Sequence, residues 1–295
     1  MQRRGRVEAI PPQALILVGI ASVQFGSAFA ATLFDQAGPA GVVLLRLGFG
    51  AIVLLAITRP RLAGRSRRDL LKVVGFGLVL AGMNWSFYEA LKLLPLGAAV
   101  TVEFIGPLTV AILGSRRLLD LVWAALAGGG VALLASDGSV HGLNVRGLLL
   151  ALLAGMFWAG YILLSQRVGA AFDGLQGLAL ALLVGAFALI PAGLVEAGSA
   201  LLRPSVLFGG LLVAALSSLI PYSLELTALR RIRAATFGLL MSLEPGFGAL
   251  AGLLVLGEQL QLRTVAALVM VIVASAGTTV QSRRTVIEPV PVELG

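Results

Sequence analysis

Long apolar runs, separated by short segments that carry charges, proline or glycine, follow one another along the whole chain. Ten of these runs have roughly 16 to 23 residues, and a helix of about 20 residues spans the hydrocarbon core of a bilayer. They lie at 14–34, 40–58, 70–91, 96–115, 121–136, 146–165, 175–192, 205–228, 234–256 and 264–281. The pattern predicts an all-α polytopic membrane protein with ten transmembrane helices and no soluble domain.

Composition supports a membrane protein and argues against several other classes. Hydrophobic residues make up 58% of the chain and charged residues 12%, which is too little polar surface to cover a soluble domain. The net charge of +8 would suggest nucleic-acid binding in a soluble protein, but here the arginines lie between apolar runs, where membrane topology explains them. The chain has no cysteine, which excludes disulfides and cysteine-bound metals. We therefore predict no nucleic-acid partner and no metal.

The basic residues between the runs predict the orientation of the chain. When the N-terminus is placed in the cytoplasm, most arginines and lysines lie on that side, and only Lys92, Arg146, Arg203 and Arg263 lie outside. An excess of basic residues in cytoplasmic loops is the usual pattern of membrane proteins. It predicts that both terminal tails, residues 1–13 and 282–295, are cytoplasmic.

The two halves of the chain resemble each other. A shift of 138 residues places Pro107 on Pro245, Asp120 on Glu258 and the Ala-Leu-Lys at 90–92 on the Ala-Leu-Arg at 228–230. Five spans in each half is an odd number, so such repeats have opposite orientations in the membrane. The sequence predicts two inverted five-helix repeats, 14–136 and 146–281, an architecture of secondary transporters that bind substrate near the midplane.

Two glutamates fall deep inside predicted spans. Glu103 and Glu244 each precede a proline, Pro107 and Pro245, which we expect to kink the helix and free a backbone carbonyl. An ionisable side chain at such depth costs at least about 2.5 kcal/mol, so it calls for a function or a partner. A carboxyl group beside free carbonyls is suited to a proton or an ammonium group.

Arg46 lies at a depth similar to that of Glu103, so an intramembrane ion pair between them is an alternative explanation for both residues. Glu244 has no basic partner at its own depth, which makes it the better candidate for a group that takes up and releases a proton. Glu89 and Glu225 lie about one turn from helix ends. For these two, interfacial anchoring explains the position as well as a transport function does.

Further polar and aromatic residues in the spans are candidates for lining a cavity, although each alone is better explained by packing or by a hydrogen bond between helices. Asn84, Trp85, Tyr88 and Glu89 form the most suggestive group, because their spacing includes one helical face. The complete set is Gln24, Asn84, Trp85, Tyr88, Thr101, Trp158, Tyr161, Ser217, Ser218, Tyr222, Ser223 and Ser242.

Patterns that carry enzyme chemistry are missing from the sequence. It contains no HExxH, no GxSxG with a partner histidine and no Walker motif. We therefore predict that the protein is not an enzyme, uses no cofactor and does not draw on ATP.

Two blocks of sequence carry a family resemblance. NWSFYEALKLLPLGAAVTVEFIGPL at 84–108, and IPYSLELTALRRI followed by FGLLMSLEP within 220–245, resemble the threonine/homoserine exporter branch of the EamA-type exporters, within the drug/metabolite transporter superfamily. The ten spans in two repeats and the Leu-Gly-Glu at 256–258 are similar to the superfamily pattern. The first repeat departs from it, with Leu-Leu-Asp at 118–120.

The resemblance implies a bacterial inner-membrane exporter of small amino acids that exchanges them for protons by alternating access. The positions that match the family are Tyr88, Glu89, Glu103 and Pro107 in the first block and Tyr222, Glu225, Glu244 and Pro245 in the second. We predict proton coupling through Glu244 and Glu103. The substrate would be held by Asn84, Trp85, Tyr88, Glu103, Tyr222 and Glu244. The family leaves other cargoes open, namely aromatic amino acids, purines, cations or other amphipathic metabolites and drugs. A uniporter and a membrane scaffold remain alternatives, and the oligomeric state is not predicted.

Overall fold

The computed structural model describes residues 10–61, 64–113, 118–135, 144–229, 231 and 234–285, and within these ranges it contains helices and no strand. The α-helices are α1 (Pro12–Ala31), α2 (Phe34–Thr58), α3 (Arg67–Leu91), α4 (Leu96–Glu103), α5 (Ile105–Leu113), α6 (Leu118–Ala135), α7 (Val145–Gly169), α8 (Gln176–Ala197), α9 (Pro204–Ala214), α10 (Ile220–Leu229), α11 (Ala234–Met241), α12 (Glu244–Ala251) and α13 (Leu262–Thr285). A 3₁₀ turn, Gly198–Leu202, follows α8, and wider π-helical stretches, Ala215–Leu219 and Gly252–Leu256, follow α9 and α12.

Seven helical segments are long and apolar enough to cross a membrane. They are Pro12–Ala31, Phe34–Thr58, Arg67–Leu91, Val145–Gly169, Gln176–Leu202, Pro204–Glu225 and Phe237–Leu256. Three shorter apolar helical segments, Leu96–Val110, Leu121–Leu134 and Leu262–Gly277, accompany them. The prediction of an all-α polytopic membrane protein is therefore confirmed. The count of ten spans, their inverted repeats and the repeat boundaries stay predictions, and most of the two tails lies outside the described residues.

Two helices are interrupted close to prolines. The helix that begins at Leu96 ends at Glu103 and resumes at Ile105, and the one that begins at Ala234 ends at Met241 and resumes at Glu244. Pro107 has no N–H to bond the carbonyl of Glu103, and Pro245 stands in the first turn of α12, where no such bond is needed. Each interruption therefore divides one apolar run into two short helices.

Glycines allow the short helices to approach their neighbours closely. A Cβ on Gly97 of α4 would lie 2.8 Å from the Cα of Ala249 in α12, so the two backbones are almost in contact. Gly106 of α5 meets Gly155 of α7 with equally little space, and a Cβ on Gly155 would lie 2.6 Å from the carbonyl oxygen of Glu103. Small residues at helix crossings are typical of membrane proteins. Here they fix both segments of the interrupted helix against other parts of the bundle.

Candidate functional site

A cavity of about 600 Å³ lies among the helices, within the size range of small-molecule sites. Its wall includes both interruptions, since Glu103, Phe104 and Pro107 line one side and Met241 and Glu244 another. Most of the wall is apolar or aromatic. Its main charged and polar residues are Gln24, Arg46, Asn84, Glu103, Ser217, Tyr222, Glu225 and Glu244.

Three carboxyl groups face this cavity from different helices. Glu103 ends α4, Glu244 begins α12 and Glu225 comes from α10. Glu103 and Glu244 are buried, and Glu244 lies within electrostatic range of both Glu103 and Glu225. Among the described residues, none of the three forms an ion pair or a side-chain hydrogen bond. The cavity therefore contains three carboxyl groups that pair with no described residue.

Arg46 stands at the middle of the 25-residue helix α2 and is also buried. Its Nη1 donates to the hydroxyl of Tyr88 at 3.1 Å, its Nη2 to the carbonyl oxygen of Ser217 at 2.9 Å and its Nε to the hydroxyl of Ser218 at 3.3 Å. The guanidinium carbon lies 5.7 Å from the centre of the Tyr88 ring. Neutral groups thus hold the guanidinium in one orientation at the cavity wall.

Two of the three acceptors, the Ser217 carbonyl and the Ser218 hydroxyl, belong to the π-helical stretch Ala215–Leu219. A π-helical turn is wider than an α-helical turn and often marks a functional site. The Ser217 carbonyl accepts from Arg46, and the Leu216 carbonyl accepts from the hydroxyl of Ser22 at 2.6 Å. The stretch, which continues directly into α10, is therefore joined to α1 and α2 by hydrogen bonds.

Two buried polar atoms at the cavity have no hydrogen-bond partner among the residues that the structure describes. They are Oε1 of Gln24 and Oγ of Ser217, and the residues that carry them are 3% and 2% exposed. Gln24 and Ser217 both belong to the lining of the cavity. Buried polar atoms are nearly always paired, so these two indicate a place for a bound polar group or water.

Several of the predicted site residues come together as expected, and two do not. Asn84, Glu103, Tyr222 and Glu244 line the cavity. Tyr88 is fully buried and reaches the site only through its bond to Arg46. Trp85 is 39% exposed and faces a separate depression, because it is rotated by about 100° from Asn84 on the same helix. These two residues therefore do not form part of the cavity wall.

The expected ion pair of Arg46 with Glu103 is not formed in this structure. Neither residue forms a salt bridge with any described residue. The guanidinium of Arg46 is directed instead toward the oxygens of Tyr88, Ser217 and Ser218. Arg46 and Glu103 nevertheless line the same cavity and remain within electrostatic range of each other.

Glu225 is the most important residue that the sequence prediction left out of the binding set. Its position near the end of a predicted span left an interfacial role and a transport function equally open, and in the structure it lines the cavity about one turn after Tyr222. Glu89, whose position in the sequence is similar, lines the separate depression together with Trp85 and Glu196. The repeat offers no signal that separates the two, because both residues lie a few positions from the end of an apolar run.

Several other polar candidates are engaged in local bonds. Thr101, Ser223 and Ser242 each donate to a carbonyl oxygen three or four residues earlier in the chain, at 2.6 to 2.7 Å. None of the three lines the cavity. Trp158 and Tyr161 do line it, and the ring of Trp158 meets Phe104 edge-on at 5.5 Å between centroids. Within the described ranges, no group of metal-ligating side chains comes together.

Comparison with known proteins gives a consistent result. Residues 145–280 match the EamA-like transporter family. The chain is 42% identical over 274 residues to the threonine/homoserine exporters RhtA of Salmonella typhimurium (strain LT2) and Escherichia coli (strain K12), covering 92% of this chain and 92% of each relative. A solved crystal structure shares the fold with a TM-score of 0.63 at 19% identity, over 92% of this chain and 98% of that one. The chain therefore belongs to the EamA-like transporter family and is a membrane transporter, not an enzyme.

Proposed function

We propose that the protein exports small amino acids of the threonine and homoserine kind across the bacterial inner membrane in exchange for protons. The observation that carries this proposal is the central cavity with three carboxyl groups that have no protein partner among the described residues. An amino acid brings an ammonium group that can pair with such a carboxylate. The two relatives named as threonine/homoserine exporters support the same class of substrate.

Glu244 and Glu103 are the proposed proton-coupling residues. Carboxylates that share one low-dielectric cavity repel each other, so a proton or another cation that enters the cavity is stabilised there. A proton and a substrate ammonium group compete for the same carboxylates. Binding of one displaces the other, which couples entry of protons to exit of substrate.

The proposed topology has ten spans in two inverted repeats, with both termini in the cytoplasm. In this orientation, the lining residues Ser165 and Gln166 of α7 and Phe237 and Gly238 of α11 stand near the cytoplasmic ends of their helices. The close packing of α4 on α12 lies toward the outside. The geometry supports an inward-open state, from which alternating access proceeds by separation of α4 from α12.

Cysteine labelling tests this sidedness, because the natural chain contains no cysteine. An Ile162→Cys variant places one thiol in the cavity wall. We expect a membrane-impermeant maleimide to label it faster from the cytoplasmic side in the absence of substrate. Faster labelling from the outside would contradict the proposed orientation or state.

Efflux from proteoliposomes tests the function itself. Vesicles are loaded with labelled threonine or homoserine, and efflux is measured with and without an imposed proton gradient. We expect gradient-dependent efflux that is lost in Glu244→Gln, whereas the matched control Glu89→Gln changes a glutamate outside the cavity and retains it. No efflux by folded wild-type protein would refute the substrate class, and gradient-dependent efflux by Glu244→Gln would refute its role in coupling.

A second candidate is export of an aromatic amino acid, a purine, a cation or another amphipathic metabolite or drug. It is favoured by the aromatic part of the wall, which includes Phe87, Phe104, Trp158 and Tyr161. Aromatic rings pack against flat substrates and attract cations. Stronger competition by phenylalanine than by homoserine against threonine efflux would favour this candidate.

A further inference from the structure

We propose that Arg46, together with the hydroxyl of Ser217, binds the carboxylate of the amino-acid substrate. The proposal rests on the proposed function and assigns a second subsite to the same cavity. The acidic groups then hold the ammonium end of the substrate, and the Arg46 subsite holds the other end. The cavity would recognise both charges of a zwitterion.

The first argument is the charge of Arg46. A buried guanidinium in a membrane protein normally pairs with an anion, because an isolated charge in a low-dielectric medium is strongly disfavoured. Every described hydrogen-bond partner of Arg46 is neutral: a phenol, a hydroxyl and a backbone carbonyl. The residue lines a cavity large enough for an amino acid. A carboxylate on the substrate would supply the missing negative charge.

The second argument is the number of donors. A guanidinium has five N–H groups, and three of those on Arg46 are used. One N–H on each terminal nitrogen is left, and a pair of parallel N–H groups is the arrangement that binds a carboxylate in bidentate fashion. The hydrogen bonds that Arg46 donates to Tyr88, Ser217 and Ser218 fix the plane of the guanidinium before any substrate arrives.

The third argument comes from an unpartnered hydroxyl beside Arg46. Ser217 binds Arg46 through its carbonyl, but its own hydroxyl has no partner among the described residues although Ser217 is almost fully buried. Ser217 lines the cavity, and its hydroxyl can donate a hydrogen bond that a substrate carboxylate accepts. The unpartnered side-chain oxygen of Gln24 is an acceptor, so it suits the ammonium end of the substrate instead.

The alternative anion is Glu103, which could pair with Arg46 in another state of the transporter. The two residues share the cavity wall and interact electrostatically. If Glu103 were the true partner, removal of Arg46 would leave an uncompensated carboxylate, and removal of both charges would repair the defect. This expectation distinguishes an internal ion pair from a substrate subsite.

The test compares threonine with threoninamide, in which a neutral amide replaces the carboxylate. Each compound competes against efflux of labelled threonine by proteoliposomes. For the wild type we expect threoninamide to compete about 10- to 100-fold more weakly, the range for hydrogen bonds to a charged group. In Arg46→Gln, we expect the apparent affinity for threonine to fall by a similar factor and that for threoninamide to change little, so the preference disappears.

Two serine variants test whether a loss of affinity comes from the subsite itself or from a disturbed structure. Ser217→Ala keeps the carbonyl that binds Arg46 and removes the unpartnered hydroxyl, so we expect about a 3- to 10-fold loss of affinity for threonine and none for threoninamide. Ser22→Ala is the matched control, because its hydroxyl bonds the same π-helical stretch but does not line the cavity. We expect its preference for threonine to equal that of the wild type.

Several results would overturn the subsite. They are equal competition by threoninamide in the wild type, an undiminished preference in folded Arg46→Gln or Ser217→Ala, or recovery of threonine affinity in the double variant Arg46→Gln/Glu103→Gln. Thermal unfolding of the solubilised protein separates this proposal from the proposed function. Stabilisation by threonine but not by threoninamide supports the subsite even without efflux, whereas no efflux together with no stabilisation by threonine refutes both proposals.

Discussion

Glu258 connects the loop after the second π-helical stretch to the start of α4. Its two carboxylate oxygens accept a hydrogen bond from the backbone N–H of Leu96 at 2.9 and 3.0 Å. Leu96 is the first residue of α4 and is fully buried, and Pro95 before it provides no side-chain cap. The first N–H groups of a helix have no partner within the helix. Glu258 therefore supplies an acceptor that nothing else in α4 can supply.

We expect Glu258→Ala to destabilise the folded protein because it leaves the Leu96 N–H buried without an acceptor. The penalty for such a donor is about 1 to 3 kcal/mol. For a chain of this size that corresponds to a melting temperature lower by about 3 to 10 °C. Glu258→Gln keeps one acceptor oxygen at the same place, so we expect it to remain within about 0.5 kcal/mol of the wild type.

Thermal unfolding of the purified protein in detergent or nanodiscs measures the effect, and Gln259→Ala is the matched control because Gln259 is exposed in the same loop. We expect Glu258→Ala to have a lower melting temperature than Glu258→Gln. Glu258→Gln and Gln259→Ala should both melt close to the wild type. If Glu258→Ala melts with the control, the bond to Leu96 contributes nothing. If Glu258→Gln falls as far as Glu258→Ala, the negative charge matters and the acceptor does not.

Three further predictions follow from the packing, the cavity and the loop. Gly97→Ala should force α4 and α12 apart, since the new Cβ would lie 2.8 Å from a backbone atom of Ala249, and should destabilise the protein by about 1 to 3 kcal/mol in the same unfolding measurement. Trp158→Ala should weaken threonine efflux, whereas Trp85→Ala outside the cavity should not; equal effects would contradict the assigned cavity. Burial raises the pKa of Glu258 more than the Leu96 N–H lowers it, so its contribution to stability is lost as the pH rises past the ordinary value of 4.5. As the pH rises toward neutral, the melting temperature of the wild type should therefore fall relative to that of Glu258→Gln. A difference that stays constant with pH would refute this prediction.

The sequence predicts which acidic residues lie well inside an apolar run, because the rise per residue relates a position in the run to its distance from the helix end. Glu103 and Glu244 were placed in this way, and both face the cavity. The direction of a side chain around its helix was harder to predict. Asn84 and Trp85 are neighbours in the sequence, but they point about 100° apart around the helix, and only Asn84 faces the cavity.

The hydrogen-bond partners of Arg46 could not be predicted from the sequence, for a different reason. Ser217 and Ser218 are more than 170 residues away in the chain and stand in a π-helical stretch that shifts the helical register. Hydrophobic periodicity carries no signal for such a shift, because every residue around it is apolar or small. The depth of Arg46 alone therefore suggested Glu103 as its partner, whereas the described hydrogen bonds go to the serines and Tyr88.

The two interruptions give each divided helix a short lever arm. α5 has nine residues and α11 has eight, so each is about 12 to 14 Å long. A rotation of only about 10° at Phe104 would displace the far end of α5 by roughly 2 Å. This movement would break no hydrogen bond inside the helix. α4 and α12 could remain in contact during this movement. In the proposed orientation, the width of the inner mouth of the cavity can therefore change while the contact of α4 with α12 keeps the outer end closed.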